Sequence, residues 1–350
     1  MGLIHTIGVI LSLCILVFAS SCVKEISLAS EENPSYFFID GNIVINDDVQ
    51  QIKIGRTEGV ATATPSLIRG ATVMVKNFTD QEEYLFQEIS GGEYRSNFRG
   101  KLNKKYQLSI TFQSGQSFIT DTLTLLDSPS LVFSGDVVPK VRVSSQGDSV
   151  LTNIATANVD FQTPVVPSND LLVVRSKFEY AISDLVCNPF DSASKCYFKD
   201  DITIDKFGLI DLSRFGSSES GTFQVGGYGI DARMAEESVI IVEIFRADEQ
   251  AKPYYRSIAS SVELSGNFFS PQPLTIPGNL IQDQGGSSAA LGYFGVIERT
   301  TLVLPARSNE IKDRAGLAYC EGGSANFMQW DCCFCFLNEG SSSARPSYWP

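Results

Sequence analysis

Downstream of about residue 36 the chain runs in short stretches that alternate between apolar and polar positions. Tyr106, Leu108, Ile110 and Phe112 are apolar with Gln107, Ser109 and Thr111 between them, and Ser114-Gly115-Gln116 separates them from a second run over residues 117–124. Period two on both sides of a glycine-containing turn predicts a hairpin. Similar runs occupy residues 36–45, 51–54, 71–75 and 84–86, each bounded by Gly, Asn, Asp or Pro. Strands this short and this closely spaced predict a β-sandwich. Past Asp127-Ser128-Pro129 the runs lengthen, at residues 158–162, 171–182, 239–246, 292–297 and 301–304, which predicts a second antiparallel β domain. One stretch reads as helical: Pro253 suits a first turn, and Tyr255, Ile258, Ala259 and Val262 fall at i, i+3, i+4 and i+7. Such a stripe packs on a sheet more readily than it holds a ligand. The predicted fold is therefore mainly β, with a sandwich over residues 35–128, a larger antiparallel β domain with one short helix over 129–310, and a Cys-rich tail over 311–350.

Upstream, residues 7–18 are apolar apart from Gly8 and Ser12 and lead into Ala19-Ser20-Ser21-Cys22. Such a run is too short for a bilayer and suits the apolar region of a signal peptide. Small residues directly before a cysteine are similar to a lipobox, with Ala19 standing where Leu is usual. Residues 1–21 are expected to be a lipoprotein signal peptide, Cys22 the lipidated first residue of the mature chain, and 22–34 a polar tether.

Composition narrows the chemistry. The 350 residues include 40 Asp and Glu against 27 Lys and Arg, a net charge of −13, and no basic run to serve nucleic acid as a partner. The only histidine is His5, inside the expected leader. A mature chain without histidine excludes Ser-His-Asp and Cys-His nucleophiles and His-ligated metals. Gly226, Gly227 and Gly229 lie in no phosphate-binding motif. No cofactor is expected. Two-carboxylate glycoside hydrolysis stays open, but 40 acidic residues single out no pair.

Leaving aside Cys14 and Cys22, six cysteines remain, and an exported chain makes disulfides the default. Cys187 and Cys196 flank Asn188-Pro189 at a spacing that suits a bridge across a long hairpin loop. Cys320, Cys332, Cys333 and Cys335 are expected to form two disulfides that pin the tail, with Cys332 and Cys333 not bonded to each other. A four-thiolate zinc site is the competing reading, weakened by the lack of a second C-x-x-C. Tyr348-Trp349 and Tyr293-Phe294 are candidates for an exposed aromatic binding surface, with burial as the alternative.

Four places together resemble the Bacteroidetes outer-membrane lipoprotein family catalogued as domain of unknown function 4249. They are Cys22 with the strand Phe38-Ile39-Asp40-Gly41-Asn42-Ile43; Ile68-Arg69-Gly70-Ala71-Thr72-Val73 through Gly92-Glu93-Tyr94 to Tyr106-Gln107-Leu108; Tyr254-Tyr255 leading to Pro277-Gly278-Asn279-Leu280 and Leu291-Gly292-Tyr293-Phe294-Gly295; and Cys332 to Cys335 followed by Arg345-Pro346-Ser347-Tyr348-Trp349. The resemblance implies that the first domain is Ig-like or carboxypeptidase-regulatory-like. It also implies a lipid-anchored surface protein encoded beside TonB-dependent transporters. The expected function is accordingly a non-catalytic accessory or binding lipoprotein of such a transporter. A pilin-like adhesive protein and a carboxylate-based glycoside hydrolase are the alternatives.

Overall fold

The computed structural model describes residues 36–45, 47–57, 66–127, 131–144, 150–163, 170–184, 194–200, 207–264, 276–283, 289–320, 332–338 and 340–350. The expected leader, Cys22, the tether and Cys187 lie outside the described residues. The chain is mainly β, with 56% strand and 12% helix.

The first unit holds β1 (Phe37–Val44), β2 (Val49–Arg56), β3 (Ser66–Leu67), β4 (Thr72–Asn77), β5 (Glu82–Ser90), β6 (Glu93–Asn97), β7 (Tyr106–Thr111) and β8 (Ser117–Thr120). The hairpin expected from the alternation is present, with Ile110 opposite Phe118 in β7 and β8. Gly115, at φ +84°, takes the left-handed turn position between them, which costs a residue without Cβ little. On its far side β8 pairs with β16 (Pro277–Gln282), which pairs with β17 (Ala289–Leu291), and β17 meets β1 where Leu291 faces Phe38. Because β1 also pairs with β2, the path β1-β17-β16-β8-β7-β4-β5-β6-β2 returns to β1 and closes. Ile39, Ile52, Val73, Leu108 and Phe118 share the enclosed core with Leu280, Ala290, Phe294 and Val296. A core that residues 37–125 leave unfinished is thus completed by a stretch that the sequence places in the second domain.

The second unit pairs two sheets. β9 (Val132–Ser144), β10 (Val150–Gln162) and β14 (Ser220–Gly229) form a three-stranded antiparallel meander. Facing it are β11 (Leu171–Ser183), β15 (Ser238–Ala247) and β18 (Gly295–Pro305), with β12 (Lys195–Lys199) and β13 (Phe207–Asp211) set end to end along the outer edge of β11. Leu171 to Val174 are all buried because both faces of this sheet are covered at that end. Leu172, Val174 and Phe178 pack toward the meander, and Leu171 and Val173 pack toward the helix α1 (Lys252–Leu264). Tyr255 and Ile258 of α1 form the predicted packing stripe. A second, shorter helix, α2 (Asn309–Ala315), which the alternation does not reveal, starts where Ser308 accepts the Ile311 N–H.

β1 joins the two units. Beyond its pairing with β2, residues Asn42, Ile43 and Val44 run parallel to Gly295, Val296 and Ile297 of β18. Antiparallel strands dominate elsewhere, so this parallel contact, together with that of β1 to β17, departs from a purely antiparallel expectation. Such pairs can arise only between segments distant in sequence.

Candidate functional site

Several of the residues that carry the family resemblance are structural. The Tyr94 hydroxyl donates to Ile68 O at 3.1 Å and accepts from Ala71 N at 2.9 Å, tying β6 to the segment before β4. The Asn279 side chain donates to Phe294 O at 2.7 Å and accepts from Phe294 N at 3.0 Å, replacing a missing rung between two segments of the ring. Asn42 accepts from Gly295 N at 3.0 Å. A Cβ at Gly292, whose φ is +91°, would lie 1.9 Å from Ile39 O, and one at Gly278 would lie 1.8 Å from Gly292 O. These glycines let three backbones approach too closely for any side chain.

Tyr293 and Phe294 are therefore not a binding surface. Phe294 is fully buried in the first core, and Tyr293 is buried against α1, its hydroxyl donating to Asp248 at 3.2 Å. Trp349 is also buried, packed with Ala181, Val239 and Ile241, while Tyr348 remains half-exposed. A terminal Trp needs something to hold it, and here Glu179 does so.

One described disulfide spans the fold and another is local. Cys196, opposite Ile182 in β12, bonds Cys335 over a separation of 139 residues, with Cα atoms 5.9 Å apart. The bridge expected between Cys187 and Cys196 is thereby replaced. Strand register brings Cys196 to the incoming tail, a relationship that loop length does not encode. Cys320 bonds Cys332 at a Cα distance of 5.4 Å, and Cys333 is disulfide-bonded as well. With these sulfurs in S–S bonds the four-thiolate arrangement does not form. Asp184 supports the bridge, accepting from Cys335 N at 2.8 Å and from the Ser194 hydroxyl at 2.5 Å.

Among the described residues, nothing covers the middle of the outer face of β11, β15 and β18. Register places Glu179 opposite Lys199 and Val239, Lys177 opposite Ile241, Glu243 opposite Thr301, and Phe245 opposite Arg299. Strand alternation puts all of these side chains on one face. α1 covers one end of that face through Leu171, Val173 and Ile297, and Trp349 covers the other through Val239 and Ile241. Between them lies a groove of about 710 Å³ whose wall includes Tyr348.

The charges of the groove are arranged in pairs. Glu179 is buried at the tail end, accepting from the Trp349 indole at 2.9 Å and the Tyr348 hydroxyl at 2.9 Å, with Lys199 Nζ 3.8 Å away. The Tyr348 hydroxyl in turn helps hold the Lys199 ammonium above its ordinary pKa, with the Glu179 charge adding to the effect. Lys177 pairs with Glu243 at 2.9 Å and Arg299 with Asp47 at 2.5 Å. Glu179 and Glu243 stand four residues apart in register, so their backbones are separated by roughly 13 Å of strand. Each of these two carboxylates already has a cationic or hydrogen-bonding partner. The arrangement can present charge and hydrogen bonds to a ligand, and nothing in it sets up a proton relay. Sequence reasoning missed this site. Its one signal is Arg175, Lys177 and Glu179 at period two within the apolar run of β11, which reads on its own as an ordinary solvated face.

No curated protein matches the chain. A family model does, described as a domain of unknown function (DUF4249), over residues 23–302. That span takes in both β units up to β18, including the Asn279 and Gly292 contacts that lock them together, so the chain belongs to this family.

Proposed function

We propose that the protein is a lipid-anchored outer-membrane accessory lipoprotein, tethered at the cell surface through Cys22, that binds a ligand in the β11–β15–β18 groove for an associated TonB-dependent nutrient transporter. The observation that carries this reading is the groove itself, a charged strip that no described residue covers on a sheet face whose two ends are covered. The engaged state of Glu179 and Glu243 favours binding over turnover, since general acid–base work needs a carboxyl group available to the substrate. The Cys22 context and the sequence resemblance support the anchor and the transporter association.

Two measurements test it. Cys22→Ala should move the protein out of the membrane fraction, and native co-purification from gently solubilised membranes should recover a transporter. Retention of the variant in membranes overturns the anchor. Recovery of a lone monomer, or glycan turnover by the isolated protein, overturns the accessory role.

A further inference from the structure

We propose that the groove recognises an acidic saccharide chain, whose carboxylate or sulfate groups meet Lys199 and Lys177 and one of whose rings rests against Tyr348. The proposal deepens the binding role argued above and rests on it. Its first support is the depth at which the charges lie. The Lys199 side chain is 66% exposed over a Glu179 that is 4% exposed, and Lys177 is 32% exposed beside Glu243 at 15%. An approaching ligand meets the ammonium groups first, and each carries three N–H donors, more than one carboxylate oxygen occupies. The other nearby acids are paired as well, Asp200 with Arg233 at 2.8 Å and Asp47 with Arg299 of the groove wall at 2.5 Å. The groove lining carries three cations, Lys177, Lys199 and Arg299, against three acids, Glu179, Asp200 and Glu243, and in the Glu179 and Glu243 pairs the cation is the more exposed member, so an anion arriving from solvent meets Lys199 and Lys177 before the acids.

The dimensions select a chain over a small molecule. From Lys199 to Arg299 the face runs across three strand spacings and six residues of strand, a diagonal of about 25 Å. The floor argues against a peptide. β15, at the centre of the groove, is paired on both sides, with β11 and with β18, so it offers no free backbone row for an added strand. Tyr348 offers what a sugar uses instead, a half-exposed ring whose hydroxyl is fixed on Glu179 at 2.9 Å. The hydroxyl of Thr301 lies along the same strip.

Calorimetric titration of the full mature protein tests this with four probes: an oligogalacturonate, its methyl-esterified form, a sulfated oligosaccharide and a poly-glutamate peptide. One or both acidic saccharides should bind, and the two arms tell carboxylate from sulfate recognition. That binding should weaken as salt rises. Lys199→Gln should lower it at least about tenfold, a change of 1.4 kcal/mol, with a thermal melt showing that the variant remains folded. Tyr348→Phe should keep the affinity that Tyr348→Leu loses. Equal affinity for the methyl ester overturns the anionic class, and equal or tighter binding of poly-glutamate overturns the saccharide. Absence of binding by both acidic saccharides, or indifference to Lys199→Gln, overturns the proposal outright. Transporter co-purification that survives these failures would leave the accessory role standing, so the two readings fail separately.

Discussion

Trp349 donates its indole N–H to Glu179 at 2.9 Å across a separation of 170 residues, and Tyr348 donates its hydroxyl to the same carboxylate. The acid is almost fully buried, so these donors replace the water it has lost. Glu179→Ala would leave the indole N–H without an acceptor, at a cost of about 1–3 kcal/mol. Glu179→Gln keeps an acceptor and should recover most of that. Urea unfolding of both variants, with limited proteolysis of the tail as a second readout, checks the ordering. Equal stability of the two would mean that the buried acceptor is not what holds the C-terminus.

Replacing both partners of the Cys196–Cys335 bridge with Ala removes the longest closure among the described disulfides, 139 residues against 12 for Cys320–Cys332. Loop-closure entropy predicts a loss of about 4–5 kcal/mol for the first and about 3 kcal/mol for the second. Thermal melts of the two double variants should rank accordingly. Peptide mapping under non-reducing conditions should recover Cys196 with Cys335, and a Cys187–Cys196 peptide would refute that pairing.

Gly292→Ala should prevent β17 from seating against β1, because its Cβ would fall 1.9 Å from Ile39 O at a backbone angle that alanine resists. Asn279→Ala is milder. It strips two hydrogen bonds from the Phe294 backbone and should cost about 2–4 kcal/mol. Amide hydrogen exchange should report faster opening of residues 289–297 in both variants, and unchanged protection there would contradict the clamp.

Asp248 supplies a pH dependence. Burial holds its carboxyl above the ordinary carboxylate range although Ala251 N and the Tyr293 hydroxyl both donate to it, and one of its oxygens has no partner. The folded chain keeps this proton to higher pH than the unfolded chain. Its contribution to stability is therefore complete below the unfolded value and is lost as pH rises through the folded one. Asp248→Asn retains an acceptor and removes the charge, so its stability relative to the parent should improve between pH 4 and pH 7. A difference that is the same at both pH values would show that Asp248 does not titrate abnormally.

Much of the fold was legible wherever the signal was local. The hairpin around Gly115 and the packing stripe of Tyr255 and Ile258 follow from periods of two and 3.6, which neighbouring residues set among themselves. The pairing of Asn42 with Gly295 is of another kind, since those residues stand 253 apart and nothing near either one encodes the register. The same reason hid the disulfide of Cys196 and the burial of Trp349. Lys177, Glu179 and Glu243 escaped notice because charges at alternate positions of a strand look alike whether they face bulk water or a groove. Only the covering of both ends of that face by α1 and the tail distinguishes them.

The closed ring of the first unit has a consequence for the order in which the molecule can be made. β16 and β17 supply two of its staves, so nascent chain ending near residue 128 holds a gap between β8 and β1 with two raw edges and a core lacking Leu280, Ala290 and Phe294. The N-terminal unit cannot lock until residue 296 has emerged, by which time β9 to β15 have already had the chance to collapse. The topology thus keeps the chain unlocked until late in its synthesis, and excision of residues 35–128 as a separate fragment should yield a species that pairs with itself rather than a folded domain.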